Sequence, residues 1–305
     1  GLAVGAFGQI ARTVDGGESW SVIGGGILDK RVTGMAVSPS GSVVLAGALA
    51  NAGLLLRSIT SGATWVSTGT RYTAPSFASE QVAIAINPDG RIVRSTDAGQ
   101  TWTVVYENLL GPQTLLSTTM ITASVGLVVG DNGRILRTTD GGVNWTVVPS
   151  GTTDVIRAVR CLTTTLCLAS GGINLLRSTD AGASWALLSP AGFAGANNIA
   201  RVSDTIAIAG SGGGWQRTID GGQTWTQAYS AVLGSQLGAS FNAAGVGIAV
   251  GYDGILRSTD FGATWVRQNL PISFDLYSAA WLNATTVLVG GDGGAILRNL
   301  QAGAP

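Results

Sequence analysis

The side chains that could carry chemistry are few in this chain, and they are widely spaced. The sequence has no histidine, the commonest general base and metal ligand. Most glycosidases need two carboxyl groups at a defined separation. Five carboxylates lie in predicted loops where they could pair: Asp29, Glu80, Asp154, Asp204 and Asp275. Scattered surface carboxylates are the ordinary case, so the sequence predicts no catalytic residue, no metal site and no bound cofactor.

Arginine is the most informative charged residue type. Sixteen of the 17 basic residues are arginines, and eight of these recur at one position of an internal repeat. Two interpretations of the repeated arginines stay open. Each one pairs with a carboxylate or carbonyl of the neighbouring repeat, or together they form a basic band that docks an acidic partner. The repeat does not require the six arginines that we take as candidate partner-binding residues: Arg31, Arg71, Arg157, Arg160, Arg201 and Arg267.

The two cysteines, Cys161 and Cys167, lie six residues apart in the segment CLTTTLC. Across a hairpin they could face each other on paired strands, within reach of a disulfide bond. Two free thiols are the alternative. A disulfide would indicate an oxidising compartment, and the short loop that it closes would make its contribution to stability modest.

A nine-residue box organises the rest of the chain. The copy at Arg137 reads RTTDGGVNW, and it is one of seven. Its aspartate can accept hydrogen bonds from backbone N–H groups one or two residues on. Its second glycine fits a backbone position with positive φ, and its tryptophan is large enough to wedge between adjacent sheets. These roles are structural. The box aspartates are Asp15, Asp97, Asp140, Asp180, Asp220 and Asp260, and the box tryptophans are Trp20, Trp65, Trp102, Trp145, Trp185, Trp225 and Trp265. Thr60 replaces the aspartate in the second copy, so we expect that turn to be the weakest.

Repetition of the box predicts the fold class. Successive box arginines are 37 to 45 residues apart, and each interval holds about four short apolar stretches separated by turns. This period is typical of propeller blades. We therefore predict an all-β chain, with residues 1–305 forming a single β-propeller domain of four-stranded antiparallel blades. The first repeat lacks a first strand and the last, at Arg298, lacks a fourth. Counting third strands predicts eight blades, and counting complete sets of strands from Trp20 onward gives seven as the alternative.

Net charge and hydropathy limit the classes of partner that the chain could bind. The net charge is zero, so no field of one sign favours nucleic acid. The most apolar run, residues 43–56, is too short to cross a bilayer and is interrupted by glycines. We expect no membrane span and no small-molecule substrate. The chain begins with Gly1, part-way through a repeat, which is typical of a processed or incomplete N-terminus.

The box and its period carry a family resemblance. The pattern G-x-[IL]-x-R-[ST]-x-D-G-G-x-[ST]-W resembles the Asp-box, or BNR, repeat of sialidases and related propellers. With a period near 40 it is more similar to the photosystem II stability/assembly factor family of thylakoid-lumen and periplasmic propellers, and the similarity covers essentially the whole chain. A sialidase would also need a tyrosine–glutamate pair. Only Tyr106 has a glutamate beside it, and adjacent strand residues point to opposite faces.

The resemblance implies a non-enzymatic propeller located outside the cytoplasm, in the periplasm or thylakoid lumen, and peripheral to a membrane. Its partner would be a membrane protein complex, with this chain as an assembly factor or extrinsic subunit of a photosynthetic reaction centre or photosystem. Two alternatives stay open, since one fold serves many functions. The first is a carbohydrate-binding or glycoside-hydrolysing propeller, and the second is a cell-surface propeller that binds another protein.

Overall fold

The computed structural model describes residues 2–4, 10–12, 21–24, 31–49, 54–87, 89–107, 114–211, 213–230, 236–252, 254–268, 275–292 and 296–299. Within these residues the regular elements are β-strands, as the alternation of Val, Ile, Leu and Ala with Gly, Ser and Thr predicts. Asp15 and Trp20 lie outside the described residues, and so does the side chain of Arg31.

Six sheets have four antiparallel strands each, and each sheet uses four strands that are consecutive in sequence. Their strands are β4 (Arg31–Val37), β5 (Val44–Leu49), β6 (Leu54–Ser58) and β7 (Val66–Ser67); β8 (Thr73–Phe77), β9 (Ala83–Ile86), β10 (Arg91–Ser95) and β11 (Thr103–Glu107); β12 (Leu115–Met120), β13 (Gly126–Gly130), β14 (Ile135–Thr138) and β15 (Thr146–Val148); β16 (Ala158–Cys161), β17 (Cys167–Gly171), β18 (Asn174–Ser178) and β19 (Ala186–Leu188); β20 (Asn198–Arg201), β21 (Ala207–Ser211), β22 (Gly214–Thr218) and β23 (Thr226–Ser230); β24 (Gln236–Phe241), β25 (Gly247–Gly251), β26 (Gly254–Ser258) and β27 (Val266–Gln268).

The seventh sheet joins the two ends of the described chain. Its strands are β28 (Leu276–Trp281), β29 (Val287–Gly291), β30 (Ile296–Asn299), β1 (Leu2–Val4), β2 (Ile10–Arg12) and β3 (Ser21–Gly24), in that order. The prediction of eight blades is therefore wrong for the described residues. β1 of the first repeat pairs with β30 of the last, with Leu2 opposite Arg298. The first and last repeats consequently share one sheet.

The seven sheets form a ring whose inner wall is the first strand of each sheet. Each inner strand contacts the next, and β28 contacts β4, which closes the circle. Neighbouring inner strands run in the same direction. The hydroxyl of Thr118 donates to the carbonyl of Ala74 at 2.7 Å, and the amide of Met120 donates to the hydroxyl of Ser76 at 2.9 Å. The starts of all inner strands therefore lie at one end of the ring.

The core of the protein lies between the sheets rather than within them. Seven apolar clusters of buried side chains each combine residues from two neighbouring sheets. In one cluster Ile84 and Ile86 of β9 meet Val128 of β13 and Leu136 of β14, and all four are fully buried. Because both faces of each sheet are covered, the second strands are near-continuous apolar runs rather than alternating ones.

The box is the turn between the third and fourth strand of each four-stranded sheet. At Asp140 the carboxylate accepts hydrogen bonds from the backbone amides of Val143 and Asn144, at 3.0 and 2.9 Å. These amides lie three and four residues on, not one or two as predicted, because the carboxylate spans the whole turn instead of a local Asx turn. The hydrogen bond from the Asn144 backbone, followed by that from its side chain, lowers the pKa of Asp140 to about 2.

The second glycine of the box is constrained in two ways. In each described box it has a positive φ, between 76° and 91°, which confirms the sequence prediction. It also lies against the preceding sheet. A Cβ atom at Gly99 would be 2.6 Å from Cδ2 of Leu45 on β5, and one at Gly222 would be 2.8 Å from Cδ2 of Leu168 on β17.

The box tryptophan fills the space between adjacent sheets, as predicted. Trp145 packs on the cluster of Ile84 and Leu136, and each of the other described box tryptophans packs on the corresponding cluster of its own pair of sheets. The Trp145 indole N–H donates to the carbonyl of Gly142 at 3.2 Å. The ring is thereby fixed at the interface by an apolar face and by one hydrogen bond.

The repeated arginines join neighbouring sheets. Nε of Arg137 donates to the carbonyl of Ala181, the residue after the aspartate in the next box, at 2.9 Å. The same bond, at 2.8 or 2.9 Å, connects four further pairs: Arg57 with Ala98, Arg94 with Gly141, Arg177 with Gly221, and Arg217 with Phe261. For these five arginines the first interpretation of the sequence is confirmed, with a backbone carbonyl as the partner.

Candidate functional site

The inner strands surround a central cavity of about 280 Å³. All seven contribute to its wall, from Thr33 on β4 round to Ser278 on β28. Small residues keep the channel open at several points, among them Gly34, Ala74 and Gly238. Consecutive residues of the inner strands line the cavity, and some of them, such as Ala158 and Ile199, also pack between the sheets.

Two of the predicted arginines, Arg157 and Arg160, line this cavity together. Arg157 is exposed and immediately precedes β16, so it lies where the inner strands begin. Arg160 lies deeper, within β16, and its side chain is half-buried. Its Nη1 donates to the carbonyls of Thr118 and Val159, at 3.1 and 3.0 Å. Burial lowers the pKa of Arg160, since protein surrounds the guanidinium even where it reaches the channel.

Arg71, Arg201 and Arg267 are not among the described residues that line the channel. Arg71 is exposed two residues before β8, and it therefore lies at the same end of the ring as Arg157. Arg267 is exposed on β27, the outermost strand of its sheet. Arg201 is already paired, since its Nη2 donates to Asp204 at 2.8 Å and its Nε donates to the Leu162 carbonyl at 2.7 Å. The backbone of Arg31 begins β4, at the end shared by Arg71 and Arg157.

The two cysteines form the predicted disulfide. Cys161, at the end of β16, lies directly opposite Cys167, at the start of β17, and the bond joins them across the hairpin. Cys161 follows Arg160 in the sequence, so the bond closes the hairpin next to the deeper arginine of the channel.

Three of the loop carboxylates are already bonded to nearby polar groups. Glu80 accepts from the hydroxyl of Ser40 at 2.9 Å, Asp204 accepts from Arg201, and Asp154 accepts from the Asn174 side chain. In the described part of the chain, no group of three or more His, Cys, Asp or Glu residues is placed to hold a metal ion. These contacts hold loops in place, and none of them positions two carboxylates for catalysis.

Sequence reasoning missed a polar pair on the neighbouring wall. Asn197 and Asn198 lie at the start of β20, and both line the cavity. No other described residue bonds their side-chain amides. In the sequence, the only indication of this pair is two consecutive polar residues beside an inner strand. Their closeness to Arg160 becomes visible only in the folded ring, where β20 lies next to β16.

Comparison with known proteins identifies the architecture. No protein-family model matches the sequence, and no curated protein matches it. Solved structures share its fold. YCF48 from Cyanidioschyzon merolae superposes with a TM-score of 0.72 at 20% sequence identity, covering 89% of this chain and 96% of its own. The fold is a β-propeller.

Two further solved structures extend the likeness of this propeller. One is YCF48 bound to D1 peptide, with a TM-score of 0.74 and 16% identity over 98% of each chain. The other is the WD40 β-propeller domain of Doa1, with a TM-score of 0.70 and 13% identity over 90% of this chain and 94% of that one. At these identities the likeness concerns the fold alone. The propeller has no helix, in the residues that the structure describes, that is long and apolar enough to span a membrane.

Proposed function

We propose that this propeller is a non-enzymatic binding protein for a membrane protein complex, and that it docks a segment of that complex at the end of the ring where the inner strands begin. The complex would be a photosynthetic reaction centre or photosystem, with the propeller as an assembly factor or extrinsic subunit. The resemblance of the box to the photosystem II stability/assembly factor family supports this proposal. So does the likeness in fold to YCF48 bound to D1 peptide.

The observation that carries the proposal is which arginines are bonded within the propeller and which are exposed. Five of those that recur with the box are half-buried, and each donates Nε to a carbonyl of the next sheet, which holds the guanidinium against that sheet. Arg71 and Arg157 are exposed at one end of the ring, and no described residue bonds either guanidinium. Unpaired arginines on a surface are suited to carboxylates and backbone carbonyls of a partner, since the guanidinium presents five donors in a fixed fork.

The disulfide supports a location outside the cytoplasm. Such bonds persist in oxidising compartments and are rare in the reducing cytosol. A periplasmic or lumenal propeller would meet a membrane complex on the face where peripheral subunits dock. We therefore place the protein in the periplasm or thylakoid lumen as part of the proposal.

Capture from solubilised membranes of the source organism tests the proposed function. The intact propeller is immobilised, and retained proteins are identified by mass spectrometry. Photosystem or reaction-centre subunits are expected with the wild type and should be lost with Arg71→Gln combined with Arg157→Gln. Arg267→Gln removes the same kind of exposed charge from an outer strand, so it is the control that should retain them. Absence of any photosynthetic subunit from the wild-type sample would contradict the proposal.

A further inference from the structure

The central channel is cationic and contains no compensating charge in its described lining. Arg157 and Arg160 both line it, and none of the described lining residues is acidic. The described arginine–carboxylate ion pairs lie elsewhere, at Arg91 with Glu107 and Arg201 with Asp204. A guanidinium held in a protein interior without a counterion is costly, because burial removes water without replacing it by an opposite charge.

Arg160 lines the channel and keeps donors that no described residue uses. Its two hydrogen bonds both come from Nη1, and both go to backbone carbonyls that carry no net charge. No described residue accepts from its Nε or Nη2. These two groups form the side of the guanidinium that binds a carboxylate through two parallel hydrogen bonds.

The adjacent wall offers further donors and an apolar surface. Asn197 and Asn198, on the strand next to that of Arg160, line the cavity, and no described residue bonds their side-chain amides. The partly buried side chains of Met35 and Leu116 add an apolar part to the lining. Inorganic anions would leave these apolar groups without a contact, whereas the carbon chain of an organic acid would cover them.

The number and spacing of the two arginines indicate an acid with two carboxylates. Arg160 is three positions after Arg157, which puts their Cα atoms about 10 Å apart in extended chain at roughly 3.3 Å per residue. Their guanidinium groups are thus attached at two depths of one wall. The cavity, about 280 Å³, is at the small end of ligand sites. We propose that the central channel binds a small organic dicarboxylate, with one carboxylate on each arginine.

This site goes beyond the proposed docking function and does not depend on it. Arg71 belongs only to the docking surface, the exterior at the start of the inner strands, and Arg160 belongs only to the channel site. Arg157, at the mouth of the channel, belongs to both, so the two functions are separated by the kind of measurement. Titrations of the isolated propeller report on the channel site without any protein partner. Loss of either function therefore leaves the other to be judged on its own measurement.

Isothermal titration of the intact propeller with glutarate, at constant ionic strength, tests the proposal. Saturable binding of one glutarate is expected. Arg157→Gln and Arg160→Gln should each weaken it at least about tenfold, since each removes a charge-assisted hydrogen-bonding group. The matched control Arg267→Gln lowers the net charge equally but is remote from the channel, so it should leave the affinity within about twofold.

Three outcomes would overturn the proposal. The first is the absence of saturable glutarate binding by the wild type. The second is an equal loss of affinity in Arg267→Gln, which would show a general effect of charge. The third is binding of inorganic phosphate or neutral glutaramide as tight as that of glutarate. Arg157 is exposed, so Arg157→Gln is expected to fold, and it decides the test even if Arg160→Gln does not.

Discussion

The second glycine of the box shows how steric contacts constrain single residues of the ring. Gly99 has a φ of 85°, and its Cα faces the buried side chain of Leu45 in the preceding sheet. The first requirement is local and follows from the turn. The second depends on a neighbour more than 50 positions earlier in the sequence. Glycine satisfies both requirements because it has no Cβ.

Gly99→Ala should therefore destabilise the propeller more than an alanine substitution that meets the φ requirement alone. Gly151 is the matched control, because its φ is 80° and nothing lies within 4 Å of the position that a Cβ would take. Both variants incur the cost of a left-handed residue, about 1 kcal/mol. Gly99→Ala should lose a further 1–3 kcal/mol or so from overpacking. Equal losses in denaturant unfolding would show that the contact with Leu45 is unimportant.

The box aspartates predict how stability depends on pH. Hydrogen bonds from Ser184 lower the pKa of Asp180 to about 2, as those from Asn144 do for Asp140. Burial acts in the opposite direction at Asp97 and Asp220, but hydrogen bonds led by Thr101 and Thr224 outweigh it and bring those pKa values to about 2 as well. The folded state thus favours the charged carboxylate at each of these turns.

Acid should consequently weaken the propeller over a defined range. A pKa that is lower in the folded than in the unfolded chain stabilises the fold above the unfolded value, about 4. This stabilisation should be lost as the pH falls from about 4 to about 2. Thermal unfolding followed across this range should show a steep fall in melting temperature, and Asp140→Asn should make it shallower. A melting temperature that is constant over the range would contradict the assigned role of the turns.

At the scale of elements, the sequence predicts what is local and misses what depends on neighbours. The strands, the box turn and the Cys161–Cys167 hairpin follow from turn residues and short spacings. The offset of the Asp140 hydrogen bonds was misjudged because the whole turn, not one dipeptide, fits around the carboxylate. Arg201 looked unassigned in the sequence, but the turn after β20 brings Asp204 to it. The role of the repeated arginines depended on which carbonyl the next sheet presents.

Removing one repeated arginine should weaken the contact between two sheets. Arg137→Gln eliminates the bond from Nε to the Ala181 carbonyl, a hydrogen bond from a charged donor. We expect a loss of about 1–2 kcal/mol in the free energy of unfolding, toward the lower part of the range for charged hydrogen bonds because the site is partly exposed. Arg157→Gln is the control, since no described residue bonds its guanidinium. A loss of the same size in both variants would contradict the structural role of the repeated position.

At the scale of the whole molecule, closure of the ring decides the number of sheets. Counting third strands gave eight blades because each repeat was treated as an independent unit. A ring must instead remove its edges, and the first and last repeats do so here by pairing β1 with β30. No local pattern encodes this pairing, since it joins opposite ends of the described chain. The channel site was unpredictable for the same reason, because Arg160 and Asn198 come from different repeats.

We infer that two sets of arginines have different roles. Those that recur with the box hold the ring together, and those that the repeat does not require bind the partner. Measuring unfolding free energy and capture of the membrane complex for Arg137→Gln and for Arg71→Gln combined with Arg157→Gln tests this directly. We expect Arg137→Gln to lose stability but still capture the complex, and the combined variant to keep its stability but fail to capture it. Loss of capture in Arg137→Gln while it remains folded, or capture by the combined variant equal to the wild type, would contradict the claim.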